Sequence, residues 1–294
     1  FRIRSEMAYG VHKFFRDRGF RYLHSPILTG SDCEGAGELF RVTTLDMNHP
    51  PQKDGKADYQ QDFFGKEANL TVSGQLLAEM FALALGDVYT FGLIFRAQNS
   101  NTRRHAAEFW MIEPEMAFCN LEGNMDLGEE LIKFLTSYVM DECAEDLELF
   151  AKWVDKKLMS TLENTAKSDY VRLPYRDAVE ILQKSGHKFE YEIEFGKDLQ
   201  TEHERYLTEQ NFKKPVIVYD YPKEMRGTRD LLRRRHRLSR LRAECYRHIQ
   251  SLFHQQCERS SAGKHSKCGN QKIGNPYLKW AIADIIIHAS HKSQ

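Results

Sequence analysis

The chain has 294 residues, 41% hydrophobic and 12% aromatic, and its 42 Lys+Arg balance 42 Asp+Glu, a composition ordinary for a soluble globular protein of one large domain or two small ones. No apolar run approaches the roughly 18 residues of a membrane span. The best candidate, Trp280 to Ala289, is short and carries Asp284 and His288, and the first residues lack the apolar stretch of a secretory leader. Cysteines at 33, 119, 143, 245, 257 and 268 form no CxxC pair, so free thiols in a reducing compartment are expected, with no disulfide and no metal.

Ile3, Met7, Val11, Phe14 and Phe15 recur at near-helical spacing, which predicts an amphipathic helix over 2–17 that ends at Gly19. Tyr22 to Leu28 reads as a strand interrupted by Pro26, suited to an edge or an interface. Met47 to Asp62, with two prolines and many polar residues, predicts a mobile surface insertion, and FFGKEANLTVS returns to an extended pattern. Ser73 is the expected N-cap of a helix whose apolar face is Leu76, Leu77, Met80, Phe81 and Ala84, closed by Gly86. Further on, a long amphipathic helix is expected over Met125 to Trp153, another over Tyr175 to Lys184 with Gly186 as its stop, and a strand in PVIVYDYP, 215–222. Runs of strand and helix without strict alternation favour an antiparallel α+β domain.

The most informative stretch is YTFGLIFRAQNSNTRRHAAEFWMIEPEMAF, 89–118. Two strand-like runs flank a loop that holds Arg103, Arg104 and His105, and Arg96 ends the first strand. Such a hairpin is a cradle for a polyanion, because arginine presents a planar fork of donors to phosphate. Phe109 can stack on a base or pack in the strand core; the residue pattern alone leaves both open. Charge is distributed unevenly around this centre. Residues 223–294 hold 16 Lys+Arg against 5 Asp+Glu, leaving 26 against 37 in residues 1–222, which marks a boundary near 223.

Residues 1–225 resemble the class II aminoacyl-tRNA synthetases, and within them the asparaginyl enzymes of bacterial or organellar type. RGFRYLHSPILTGSD looks like motif 1, SDCEGAGELFRVTTLD and DFFGKEANLTVSGQL like the amino-acid pocket, and FRAQ with RRHAAEF like motif 2. The resemblance implies an α+β fold, an antiparallel sheet flanked by helices, incomplete at its C-terminal end. It also implies asparagine, ATP with Mg2+, and tRNA(Asn) as ligands, a homodimer built on the 2–17 helix and the strand to Pro26, and a cytoplasmic location, with a mitochondrial or plastid matrix as the alternative. Carried over residue by residue, it makes Arg96 the catalytic cation on the α-phosphate. Gln98, Arg104, His105 and Phe109 join it in binding ATP, and Glu34, Ser73, Gln75 and Glu113 bind the amino acid. Aspartyl enzymes carry a lysine where this chain has Ala78. Glu113 accepts from an amide but repels a β-carboxylate, so the pocket implied is for asparagine.

The chain departs from the family pattern where FGLIFRAQ replaces FGPTFRAE, at Leu93, Ile94 and Gln98. After YPKEMR the family's magnesium-binding carboxylates and its motif 3 arginine are not found, nor is an anticodon-binding barrel at the start. Residues 226–294 read as a basic tail of no recognised fold, in the manner of a shifted frame or unspliced sequence, with a basic helix around Arg229 to Arg247 touching RNA as the other reading. Little exchange activity is expected of such a chain. The rival functions are a non-catalytic dimerising remnant that binds nucleotide or RNA, and an asparagine synthetase on the same scaffold.

Overall fold

The computed structural model describes residues 1–31, 39–97 and 106–222. Glu34, Gln98, Arg104, His105 and the tail from 223 onward lie outside these described residues. Two nine-residue strands, β7 (Asp87–Phe95) and β8 (Glu108–Met116), form the centre as an antiparallel hairpin in which Thr90 faces Glu113 and Ile94 faces Phe109. β1 (Arg21–Tyr22) adds to β7 in parallel. The period-two geometry of strands gives this hairpin two faces of opposite character.

Tyr89, Phe91 and Ile112 point one way, into the main core. There they meet α1 (Arg2–Asp17), whose Met7, Val11, Phe14 and Phe15 are fully buried, and α3 (Leu121–Glu142), which contributes Leu131, Ile132, Leu135 and Val139. Phe15 stacks on Tyr89 with ring centroids 4.5 Å apart. Helix α1 stops at Arg18, and Gly19 follows at φ 82°, a conformation glycine adopts without steric cost. The apolar face of α1 is thus covered by its own chain, which removes the unpartnered surface from which a dimer was expected; the dimer stays a proposal.

The other face carries Val88, Thr90, Gly92 and Ile94 opposite Glu115, Glu113, Met111 and Phe109. It is covered by α2 (Gln75–Leu85), and here the expected apolar face is corrected. Gln75, Ala78 and Ala82 are the buried positions, whereas Leu76, Met80 and Phe81 are 48%, 62% and 41% exposed. QLLAEMFALAL is apolar nearly all round, so hydrophobicity did not choose the face; the small side chains let the helix approach the hairpin closely. The N-cap is also corrected, from Ser73 to Gly74.

Three other expectations are refined. The long helix is two, α3 and α4 (Ala144–Trp153), broken at Cys143, where the backbone leaves the helical region at φ −122°, ψ 29°. The strand over 22–28 is only β1 and β2 (Leu28–Thr29), with Pro26 between them. β2, β6 (Ala68–Leu70) and β3 (Arg41–Val42) form a small antiparallel sheet. Within 47–62 the chain forms a short hairpin, β4 (Gln52–Lys53) with β5 (Lys56–Ala57), and ends on buried Asp62. That carboxylate accepts from the Thr43 hydroxyl at 2.6 Å, from the Thr44 hydroxyl at 2.7 Å and amide at 2.9 Å, and from the Phe63 amide at 2.7 Å.

After α5 (Leu158–Lys167), β9 (Val171–Pro174) pairs in parallel with β10 (Val216–Tyr219). With α6 (Tyr175–Lys184) and α7 (Thr201–Arg205) they enclose a second core of Leu173, Tyr175, Val179, Leu182, Leu207 and Val218. Helix α6 has the expected bounds, and the following Gly186 sits at φ 67°.

Candidate amino-acid and nucleotide site

Five of the nine expected site residues are described, and all lie on the α2 side of the hairpin or at its rim. Glu113 is 1% exposed. A charged side chain is rarely so buried unless its oxygens are satisfied, and here three donors among the described residues reach it. The Ser73 hydroxyl donates to Oε1. The Gly74 amide, at 3.1 Å, and the Thr90 hydroxyl, at 2.8 Å, both donate to Oε2.

The loop Val72–Gly74 that supplies two of these donors is itself fixed. The Thr71 hydroxyl donates to the Ser73 carbonyl at 2.7 Å, and the Gln75 amide donates to Ser73 Oγ at 3.1 Å. Gly74 has no room for a side chain: a Cβ there would meet Ser25 Oγ at 2.8 Å and Thr90 Oγ1 at 3.0 Å. Ser73 therefore serves the first turn of α2 and the carboxylate at once. Gln75, also buried, turns its side-chain amide to Glu79 Oε1 at 2.9 Å.

Arg96 lies just beyond β7, on the same face. Its Nη2 donates to the Val72 carbonyl at 3.5 Å, and its guanidinium carbon sits 5.3 Å from the centre of the Phe109 ring, a cation–π contact that steadies the cation without neutralising it. Arg96 Nε is buried and has no hydrogen-bond partner among the described residues, which leaves a donor for an anion. Phe109 is 4% exposed and packs with Ile94, Ala106 and Met111. Between Thr90 and Ile94 on this face, a Cβ at Gly92 would meet nothing within 4 Å. The site thus has a buried acceptor at one end, an arginine at the other and open space between them.

Sequence reasoning missed Gly74, Thr90 and Gly92. The available signal was register: once the hairpin is placed, Thr90 falls opposite Glu113 and Gly92 one step nearer Arg96. No three His, Cys, Asp or Glu side chains converge as a metal would require among the described residues, and among the same residues no helix is long and apolar enough to cross a membrane.

Known proteins are similar to this chain. A family model of class II tRNA synthetases (D, K and N) matches residues 1–266. The asparagine–tRNA ligase of Clostridium novyi is 62% identical over 228 residues, 77% of this chain and 49% of that one, and its counterpart in Clostridium beijerinckii is 61% identical over the same span. This chain spans about half the length of the curated relatives it matches. Among solved structures, the asparaginyl-tRNA synthetase of Pyrococcus horikoshii complexed with asparaginyl-adenylate superposes with a TM-score of 0.61 at 30% identity, over 76% of this chain and 45% of that one. The synthetase of Entamoeba histolytica, 22% identical with a TM-score of 0.59, shares the fold. A two-faced antiparallel hairpin with an arginine at its rim, and a family match across most of the sequence, place this chain in the class II tRNA synthetases of the D, K and N group.

Proposed function

We propose that this chain carries the asparagine-activating site of a synthetase: it binds asparagine and ATP on the α2 face of the hairpin, has little exchange activity as it stands, and belongs to an enzyme that joins the two as asparaginyl-adenylate and transfers asparagine to tRNA(Asn). The observation that carries this reading is Glu113, a buried carboxylate that accepts from three donors and stands on the face covered by Ala78. A carboxylate has about four acceptor positions. With three filled, the fourth, on Oε1, suits the N–H of a side-chain amide and repels a second carboxylate.

In the reaction, an oxygen of the asparagine carboxylate forms a bond to the α-phosphorus of ATP, the bond from that phosphorus to the bridging oxygen breaks, and pyrophosphate leaves. No general base is needed. Positioning two anions and stabilising the charge that accumulates are the tasks of the protein. Arg96 takes the α-phosphate and the amino-acid carboxylate through the fork whose Nε is unfilled. Phe109, packed beneath Arg96, supports the cation, and its proposed stacking on adenine is the family's role for this position. Gln75 and Ser73 line the amino-acid end. Glu34 on the α-ammonium, with Gln98, Arg104 and His105 on the outer phosphates, completes the proposed set. Mg2+ accompanies ATP in this reading, but the described residues provide no carboxylate cluster for it, and no step is assigned to it. A homodimer and a cytoplasmic location belong to the same proposal.

The test is calorimetric binding of asparaginyl and aspartyl sulfamoyl-adenosine, stable mimics of the two acyl-adenylates, to the full chain. Preference for the asparaginyl compound, with Arg96→Ala weakening both compounds alike, is the expected result. Equal binding of the two compounds would refute the assignment of Glu113. Asparagine-dependent pyrophosphate exchange then separates an active enzyme from a binding remnant.

A further inference from the structure

We infer that Thr90 is the positioning residue that sets the selectivity of Glu113 for a side-chain amide, an inference that rests on the reading of Glu113 given above. The last torsion of a glutamate side chain is broad and nearly two-fold, so the plane of a buried carboxylate is set by the donors around it. Two of the three donors here are poor at setting it alone. The Ser73 hydroxyl is shared with the Gln75 amide and reaches only Oε1, and the Gly74 amide meets Oε2 at the longer distance of 3.1 Å. Thr90 is different. It stands directly across the hairpin from Glu113 in the β7–β8 register, it is 2% exposed, and its hydroxyl reaches Oε2 at 2.8 Å.

A β-branched residue on a strand has few side-chain positions available, and Thr90 stands close over Gly74, where a Cβ would meet its Oγ1 at 3.0 Å and its Cγ2 at 3.1 Å. The Thr90 hydroxyl oxygen is therefore held in one place on a rigid element, 2.8 Å from Oε2. With Gly74 it fills Oε2 and leaves Oε1 as the oxygen with capacity to spare. Ser73 is the one movable partner on Oε1, and its hydroxyl oxygen already accepts from the Gln75 amide, so its proton is directed at Oε1. A substrate amide N–H arriving at Oε1 meets an acceptor already oriented. Without Thr90 the carboxylate turns, Oε1 loses its orientation, and discrimination between an amide and a carboxylate falls. Thr90 touches neither substrate nor reacting atoms; it acts through Glu113.

The experiment compares binding of asparaginyl and aspartyl sulfamoyl-adenosine to the full chain as wild type, Thr90→Val, Thr90→Ser and Thr90→Ala. Valine keeps the shape and removes the donor, and serine keeps the donor. The wild type should prefer the asparaginyl compound on the order of a hundredfold or more, Thr90→Val should cut that ratio about tenfold or more, and Thr90→Ser should keep most of it. A merely structural role weakens both compounds alike and leaves the ratio unchanged; that result in Thr90→Val, with wild-type circular dichroism, overturns the inference while the reading of Glu113 stands. If Thr90→Val does not fold, the Thr90→Ser and Thr90→Ala pair decides: serine keeping the ratio and alanine losing it supports the inference, and equal ratios overturn it. A wild type that does not distinguish the two compounds overturns the reading of Glu113 and this inference with it.

Discussion

Glu113→Ala is the most demanding perturbation of the site, because the structure gives separate costs for its parts. The change strips the acceptor from Ser73, Gly74 and Thr90. Two of these are hydroxyls on rotatable bonds, which can turn toward other acceptors. The Gly74 amide is fixed by the backbone and has nowhere to turn, and an orphaned buried N–H costs about 1–3 kcal/mol. The vacated side-chain volume, walled by the hairpin and α2, adds about 1 kcal/mol where the walls do not collapse. The expected loss is roughly 2–4 kcal/mol, or on the order of 5–15 °C in melting temperature for a chain of this size. Glu113→Gln keeps the volume and can place its NH2 toward Ser73, whose oxygen has capacity to accept. It should cost only about 1 kcal/mol while presenting a donor where the substrate amide needs an acceptor. Urea unfolding followed by circular dichroism measures both, with the midpoint moving at constant slope. A Glu113→Ala variant within about 0.5 kcal/mol of wild type, the range of an unremarkable surface change, would show that these hydrogen bonds do not hold the loop before α2.

Three further outcomes are expected. Gly92→Ala places a methyl in open space at ordinary backbone angles, so stability should hold or rise by about 0.5 kcal/mol, while binding of asparaginyl sulfamoyl-adenosine weakens; unchanged binding would remove Gly92 from the site. Asp62 is held below the ordinary carboxylate range by the Thr43 hydroxyl first, then by Thr44 and Phe63. A depressed carboxylate stabilises the fold above its unfolded pKa of about 4, so the advantage of wild type over Asp62→Asn in urea midpoint should be full at pH 7 and shrink as pH falls below that value. A pH-independent difference would refute it. Phe15→Ala, which empties a fully buried site against Tyr89, Phe20 and Phe14, should cost about 3–5 kcal/mol, and a loss under 1 kcal/mol would show that the α1 face is not the core.

The hairpin was legible because its strands are long, apolar and separated by a polar loop, and α6 because a clear period ends at a glycine with positive φ. Helix α2 was legible in extent but not in orientation. Its apolar residues surround the axis, and what selects a face is fit against the hairpin, where two alanines allow close approach and leucines do not. The break at Cys143 had no proline or glycine to announce it; α4 turns away to reach the core through Leu147. At the site, Ser73 and Glu113 were named for roles toward substrate, and their bond to each other was not foreseen, since a contact 40 residues apart is set by how the loop before α2 docks on the hairpin and not by local pattern.

That register also explains why a buried carboxylate can be tolerated in the middle of a strand. Side chains alternate, so a slip of one residue would send Glu113 into the aromatic core against α1 and α3 and turn Ile112 toward α2. Tyr89, Phe91 and Ile112 on the core face oppose that slip with their buried apolar area, which for each fully buried side chain amounts to about 1.5–3 kcal/mol. The unfavourable burial of a carboxylate on one face is therefore imposed by favourable burial on the other. His12 belongs to the same restraint: its Nδ1 lies 2.8 Å from the Tyr89 hydroxyl, whose pKa burial pushes up to about 12, so the tyrosine keeps its proton beside the imidazole. Burial lowers the pKa of His12, and the stability held by the neutral ring is present above about pH 6.5 and lost as pH falls below it. The position of Glu113 is thus tied, through one strand, to the helix on the far side of the sheet.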